Sequence, residues 1–167
     1  MERVAHEIRT FGDPVLKSRA TRVKDFDESL KHLAEDMLRV MREHEGVGLA
    51  ANQIGRLKRL FVAAYDEEEY VLVNPVIETY SETTEKDVEG CLSIPETRVE
   101  VERPIAVTVS AQDLSGAPVR LEVDGLLARI FQHEIDHLDG VLILDRTDRE
   151  SRKTAMREIR ERMLARR

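Results

Sequence analysis

Apolar residues recur along this chain at two different spacings, and the spacings divide it into elements. From about residue 27 to residue 44, Leu30, Leu33, Met37, Leu38 and Met41 fall three or four apart or side by side. They predict a helix with one buried face, which Gly46 ends. A second helix is bounded by Asp124-Gly125 at its start and Gly140 at its stop, with Leu126, Ile130, His133 and His137 on one face. From about residue 149 to residue 166 a third is expected, with Met156, Ile159 and Met163 as its apolar line. Between the helices lie short runs with strand character at residues 60–65, 70–73 (with Val76-Ile77 beyond Asn74-Pro75), 98–102, 105–111 and 119–123. Residues 66–69 and 113–116 read as turns, 8–24 as irregular, 81–87 as polar loop, and 141–144 as a short strand or extended stretch. The pattern describes one domain of the α+β class, with antiparallel β-sheets around a central helix, an N-terminal helix and a C-terminal helix.

The central helix carries the chemistry. Gln132-His133-Glu134-Ile135-Asp136-His137-Leu138-Asp139-Gly140 contains H-E-x-x-H, two histidines four apart with a glutamate after the first. Residues i and i+4 share a helix face, so both imidazoles reach one divalent ion. Glu134 lies about 100° further round, where it addresses a water on that ion without being a ligand. Three fixed positions also arise by chance, and histidine pairs on surface helices are commonly just solvated. Leu126 and Ile130 continue the same face, however, and an apolar stripe points into the protein.

Composition narrows the classes. A chain of 167 residues, 41% hydrophobic and 35% charged, is long enough for a core and soluble in character. No apolar run approaches a membrane span, and Met1-Glu2-Arg3-Val4-Ala5-His6-Glu7 lacks the apolar stretch of a secretory leader. A lone cysteine, Cys91, excludes a disulfide framework and fits a reducing compartment, so a cytoplasmic protein is expected. The net charge of −7 argues against DNA or wholesale nucleic-acid binding, yet residues 149–167 carry eight basic and three acidic side chains. An acidic body with a basic end hints at a partner.

Two further segments stand out. Gly46-Val47-Gly48-Leu49-Ala50-Ala51-Asn52-Gln53-Ile54-Gly55 has three glycines among small residues, the marks of tight backbone. No Gly-Lys-Ser/Thr follows, so a phosphate loop does not fit. The segment is either a loop packed on a sheet or a site wall presenting the Gln53 amide. Glu89-Gly90-Cys91-Leu92-Ser93-Ile94-Pro95 reads as a shaped turn rather than a core strand, although a lone cysteine is by default a small buried hydrophobe.

Segments 46–55, 89–95 and 132–140 together resemble the peptide deformylases, which remove the formyl group from the N-terminal formylmethionine of new bacterial and organellar proteins. The family patterns G-[VI]-G-L-A-A-x-Q-[IVL]-G, E-G-C-L-S and Q-H-E-x-D-H-L-x-G stand here complete and in order, with Asp13-Pro14-Val15-Leu16 as a further similarity. The resemblance implies that Cys91, His133 and His137 bind one divalent metal ion, leaving a fourth position for water. The activated water attacks the formyl carbonyl, with Glu134 as general base and acid, and Gln53 and the Leu92 N–H stabilising the oxyanion. It further implies that Leu126 and Ile130 line a methionine pocket, that Arg98 lies near it, and that Val47, Gly48, Glu89 and Gly90 contact a peptide laid down like an added strand. Fe(II) is the expected cellular metal, with Zn(II), Ni(II) or Co(II) as substitutes. Expected partners are N-formylmethionyl peptides and, through the basic C-terminal helix, the ribosome near its exit tunnel. No membrane association is expected, and the chain should be a monomer.

Two rivals use the same residues differently. A zinc protease of the H-E-x-x-H-x-x-G-x-x-H kind needs a third histidine where Ile143 stands, and the variant with a downstream glutamate has only Glu158, in the basic tail. An RNA-binding module centred on that tail would leave a complete catalytic set idle.

Overall fold

The computed structural model describes residues 7–166. Residues 1–6 of the N-terminal stretch read above as lacking a leader, and Arg167 of the basic tail, lie outside the described residues. Helix α1, Glu28–Glu43, begins where the Asp27 carboxylate accepts the Leu30 N–H at 3.0 Å, a side-chain cap for an otherwise orphaned donor. Strands β1 (Gly48–Ala50), β2 (Leu60–Tyr65) and β3 (Glu68–Tyr80) follow, then β4 (Thr84–Cys91) and β5 (Ile94–Pro104), then β6 (Ala106–Gln112) and β7 (Pro118–Asp124). The sheet order is β1-β2-β3-β6-β7, all antiparallel, while β4 and β5 form a separate two-stranded ribbon.

Helix α2, Gly125–Leu138, leaves β7 without an intervening loop. The chain makes that corner at Gly125, whose φ of +58° is one that residues with a Cβ adopt only under strain. β2 shows why both faces of the sheet are covered. Phe61 and Ala63 pack in one core cluster with Phe131 and Ile135 of α2, while Leu60 and Val62 pack in another with Leu33, Met37 and Met41 of α1. Phe131 lies edge-on to Phe61 and Tyr70, each at 5.4 Å between centroids, and such pairs contribute about 0.5–1.5 kcal/mol beyond simple burial. A third cluster joins β5 (Val99, Val101) to Ile143 and Leu144 of α3 (Ile143–Arg146) and to Ala155 and Ile159 of α4 (Arg149–Ala165). α2 packs on the sheet through the first cluster and is tied to β5 of the ribbon by Arg129 Nη1, which donates to the Val101 carbonyl at 2.9 Å.

The architecture is the expected α+β domain, with four local differences. Residues 84–91 are a strand, where 84–87 were expected in a polar loop and 89–91 in a turn; the turn itself is only Leu92-Ser93. Most of β4 is exposed, and its partner β5 supplies the alternating buried residues, so no apolar period marks it. Residues 143–146 form one helical turn rather than a strand, closed by the Leu142 N–H donating to Asp145 Oδ2 at 2.8 Å. The two short runs around Asn74-Pro75 are one strand, which Asn74 kinks at φ +51° while its side chain binds both backbone groups of Val23. Finally, of the apolar line expected on α4, Ile159 is buried and Met156 packs beside it, but Met163 is exposed and Ala155 completes the docking face.

Candidate metal centre and substrate cleft

The functional side chains arrive on three kinds of support: a ribbon tip, a helix and a 3-10 turn. Cys91 ends β4 and pairs with Ile94 across a two-residue turn, Leu92-Ser93, so its sulfur sits at the tip of the ribbon. His133 and His137 stand one turn apart on α2, as their spacing predicts. The Cys91 Sγ lies 3.3 Å from His137 Nε2, and the two Nε2 atoms lie 3.2 Å apart. Cys91, His133 and His137 each offer one ligand atom, all within 4.8 Å of one another. Tetrahedral coordination with metal–nitrogen bonds of about 2.0–2.1 Å sets neighbouring nitrogen donors about 3.3 Å apart, so the set fits one ion.

The electrostatics point the same way. Burial pushes the Cys91 thiol up, but the imidazoles of His137 and His133 outweigh it and bring its pKa well below the usual thiol value. Burial would lower His133, yet its contacts with Cys91 and Glu89 and the nearby Glu134 charge raise it well above an ordinary histidine. A thiolate and buried carboxylates around two imidazoles make a site that calls for positive charge.

His133 is oriented from behind. Its Nδ1 lies 2.9 Å from Glu89 Oε1, and Glu89, held down at a pKa of about 2, can only accept. A proton therefore sits on Nδ1, and Nε2 is the atom that faces the other two donors, free to bind an ion that displaces its own proton. Burial works against the Glu89 anion, but His133 and the Arg103 guanidinium overcome it. Arg103 grips Glu89 with Nε at 2.6 Å and Nη2 at 3.0 Å, and Arg129 Nη1 adds a bond of 2.6 Å. Arg103 Nη1 also donates to Asp136 Oδ2 at 2.9 Å, and Arg146 Nη2 donates to Asp136 Oδ1 at 2.8 Å. None of Arg103, Arg129, Asp136 and Arg146 was singled out from sequence. A usable signal existed for Arg129: a guanidinium inside Leu127-Ala128-Arg129-Ile130-Phe131 must have buried partners.

Glu134 has the opposite surroundings. It is buried, its Oε1 has no hydrogen-bond partner among the described residues, and burial raises its pKa. Gly48 covers it closely: a Cβ added there would lie 2.9 Å from the Glu134 carboxyl carbon. Gln53, on the 3-10 turn Ala51–Ile54, accepts the Ala50 N–H on Oε1. That bond turns its Nε2 inward, where it donates to Ser93 Oγ at 3.1 Å and lies 3.6 Å from Cys91 Sγ.

A cleft of about 720 Å³ opens onto this centre. Val47, Gly48, Gly90, Arg98, Leu126 and Ile130 all border it, as do Gln53, Glu89 and Leu92. Ile130 is buried, whereas Leu126 is 53% exposed, so the apolar stripe runs out to the rim instead of staying inside. The Glu89 carboxylate is occupied by His133, Arg103 and Arg129. Among the described residues no helix is long and apolar enough to cross a membrane. Three protein donors with a position left open, a buried carboxylate beside them and a cleft above define the class of hydrolytic metal centres.

Comparison with known proteins agrees. The model of the family described as polypeptide deformylase matches residues 5–153. Peptide deformylase 1 of Corynebacterium glutamicum is 52% identical over 158 residues, covering 92% of this chain and 94% of that protein. The crystal structure of the Thermotoga maritima peptide deformylase superposes with a TM-score of 0.84 at 47% identity, covering 86% and 97% of the two chains. That of Synechococcus elongatus, in complex with actinonin, gives 0.89 at 42%, covering 95% and 87%. The chain belongs to the polypeptide deformylase family, metal-dependent enzymes that take the N-formyl group from nascent peptides.

Proposed function

We propose that the chain hydrolyses the formyl amide of N-terminal formylmethionine, releasing formate, with Cys91, His133 and His137 holding one divalent ion. The observation that carries the reading is that Cys91, His133, Glu134 and Gln53 border one cleft while His137 brings its ligand atom within 4.8 Å of those of Cys91 and His133. Fe(II) is the assigned cellular metal, and the donor set also accepts Zn(II), Ni(II) or Co(II). The ion supplies Lewis acidity, which lets water act as a nucleophile near neutral pH.

The chain's own residues do the rest. Glu134 takes a proton from the attacking water and passes it to the departing methionine amine. Its burial raises its proton affinity, which suits a group that must both accept and return one. Gln53 Nε2 carries two N–H donors: one holds Ser93, and the other, aimed toward Cys91 Sγ, would turn to the developing oxyanion, with the Leu92 N–H as its assigned companion. Ile130 and Leu126 line the methionine pocket. Val47, Gly48 and Gly90 offer backbone to an extended peptide, and Arg98 reaches its polar groups. The Glu89 carboxylate acts through His133, whose Nδ1 proton it fixes, which leaves the Glu89 backbone as its contact with the peptide.

We place this activity in the cytoplasm, on a monomer. Formate release from a formyl-Met tripeptide, by protein prepared without oxygen and loaded with Fe(II) or with Zn(II), tests the reaction. Release with iron supports it, and no release with any bound metal ends it. The basic face of α4, where Arg152, Lys153, Arg157 and Arg160 are exposed, is the assigned ribosome-facing surface. Replacing those four by serine should weaken ribosome binding and flatten its salt dependence. Deletion of α4 is the wrong test, because Ala155 and Ile159 belong to the core.

A further inference from the structure

The wall of the cleft on the β5 side is irregular. β4 and β5 stay in step as far as Gly90 opposite Arg98, but the next pair is Cys91 opposite Ile94. Pro95, Glu96 and Thr97 therefore have no opposite residues and form a bulge, the device by which strands redirect side chains beside active sites. All three border the cleft. Glu96 stands at φ +64°, a conformation that persists in a non-glycine residue only where the surroundings hold it. The bulge also sets how Arg98 is presented: its Nη1 lies over Gly90, 3.6 Å from where a Cβ would be.

What holds the bulge comes from the far end of the chain. Arg162 Nη2 donates to Thr97 Oγ1, and Arg162 Nε lies 3.6 Å from Glu96 Oε2. Ala155, Ile159 and Arg162 follow one another at four and three residues, so Arg162 continues the docking face of α4. Its side chain is 28% exposed, while Arg152, Arg157 and Arg160 stand out in solvent. It also lies beyond residues 5–153, which the family model matches.

We propose that Arg162 is a positioning residue for substrate: it clamps the Pro95–Thr97 bulge, so the C-terminal helix shapes the wall against which the peptide binds. The inference rests on the formyl-peptide reading above. Its test is kcat and KM for a formyl-Met tripeptide in metal-matched preparations of the wild type, R162M, R162K, T97V and the R162M/T97V pair. Losing one charged hydrogen bond that orders the wall raises KM about fivefold in R162M, with kcat within about twofold and R162K in between. Because R162M and T97V cut the same link, the double variant is no worse than the worse single one. An unchanged KM in R162M, or effects that multiply in the double variant, would overturn the proposal. Thermal melts check the fold, and if R162M melts early the R162K and T97V pair carries the same comparison. Absence of wild-type turnover would count against the functional reading, not against the clamp.

Discussion

Two carboxylates flank His133, the first histidine of the proposed metal site, and they live in opposite worlds. Glu89, behind His133, is saturated: Arg103, Arg129 and the imidazole fill its oxygens and hold its pKa near 2. Glu134, in front, is equally buried yet among the described residues lacks a partner on Oε1, and its pKa rises. Similar burial gives opposite shifts because compensation differs. A fully paired carboxylate is fixed as an anion and can only orient its neighbour. An unpaired one in a low-dielectric site is ready to take a proton and to give it back. The roles of orienting group and proton carrier follow from surroundings, not from residue type.

The comparison can be broken at the cage. Arg103→Met keeps the volume but leaves two buried carboxylates short of a cation, and stability should fall by about 3–5 kcal/mol in denaturant titrations. A loss under about 1 kcal/mol would mean that the cage is not what holds Glu89. Acid sharpens it next. A carboxylate whose pKa drops from its ordinary 4.5 to about 2 on folding stabilises the fold at every pH above the ordinary value. That contribution, about 3 kcal/mol, disappears as pH falls from about 4.5 toward 2. The metal-free protein should lose it over that window, and Glu89→Gln should flatten the limb. Equal limbs in the two proteins would contradict the assignment. The front side is broken more gently by Gly48→Ala. The new methyl meets the Glu134 side chain, with Cγ 3.0 Å and the carboxyl carbon 2.9 Å away, so the carboxylate is displaced while the backbone stays. Turnover should fall about 100-fold with metal content and melting temperature nearly unchanged, since small misplacements of a catalytic group carry that cost.

Much of this was legible in the sequence, for reasons that differ by residue. The helix bearing His133 and His137 announces itself because spacing along a helix is local information. Cys91 has no such local partner, and only the Glu-Gly-Cys-Leu-Ser pattern and its family resemblance bring it to the histidines. Arg103 and Asp136 stayed hidden, because a pairing between β5 and α2 leaves no periodic trace in either segment. Strand β4 was missed for a related reason: its residues are polar and its pairing partner carries the buried side chains. Arg162 looked like one more basic residue in a tail, and only the packing of α4 separates it from its neighbours.

The central claim is that Glu134 moves the proton while Glu89 only holds His133 in place. Formate release per bound metal ion should therefore be measured for Glu134→Gln and Glu89→Gln side by side. The first should keep its metal and lose turnover by about 10²–10⁴-fold, the usual weight of a general base. The second should bind metal about 10–100-fold more weakly, yet turn over at close to the wild-type rate per ion retained. A metal-replete Glu134→Gln protein that works at the wild-type rate, or a Glu89→Gln protein that keeps its metal and loses its turnover, would contradict the account.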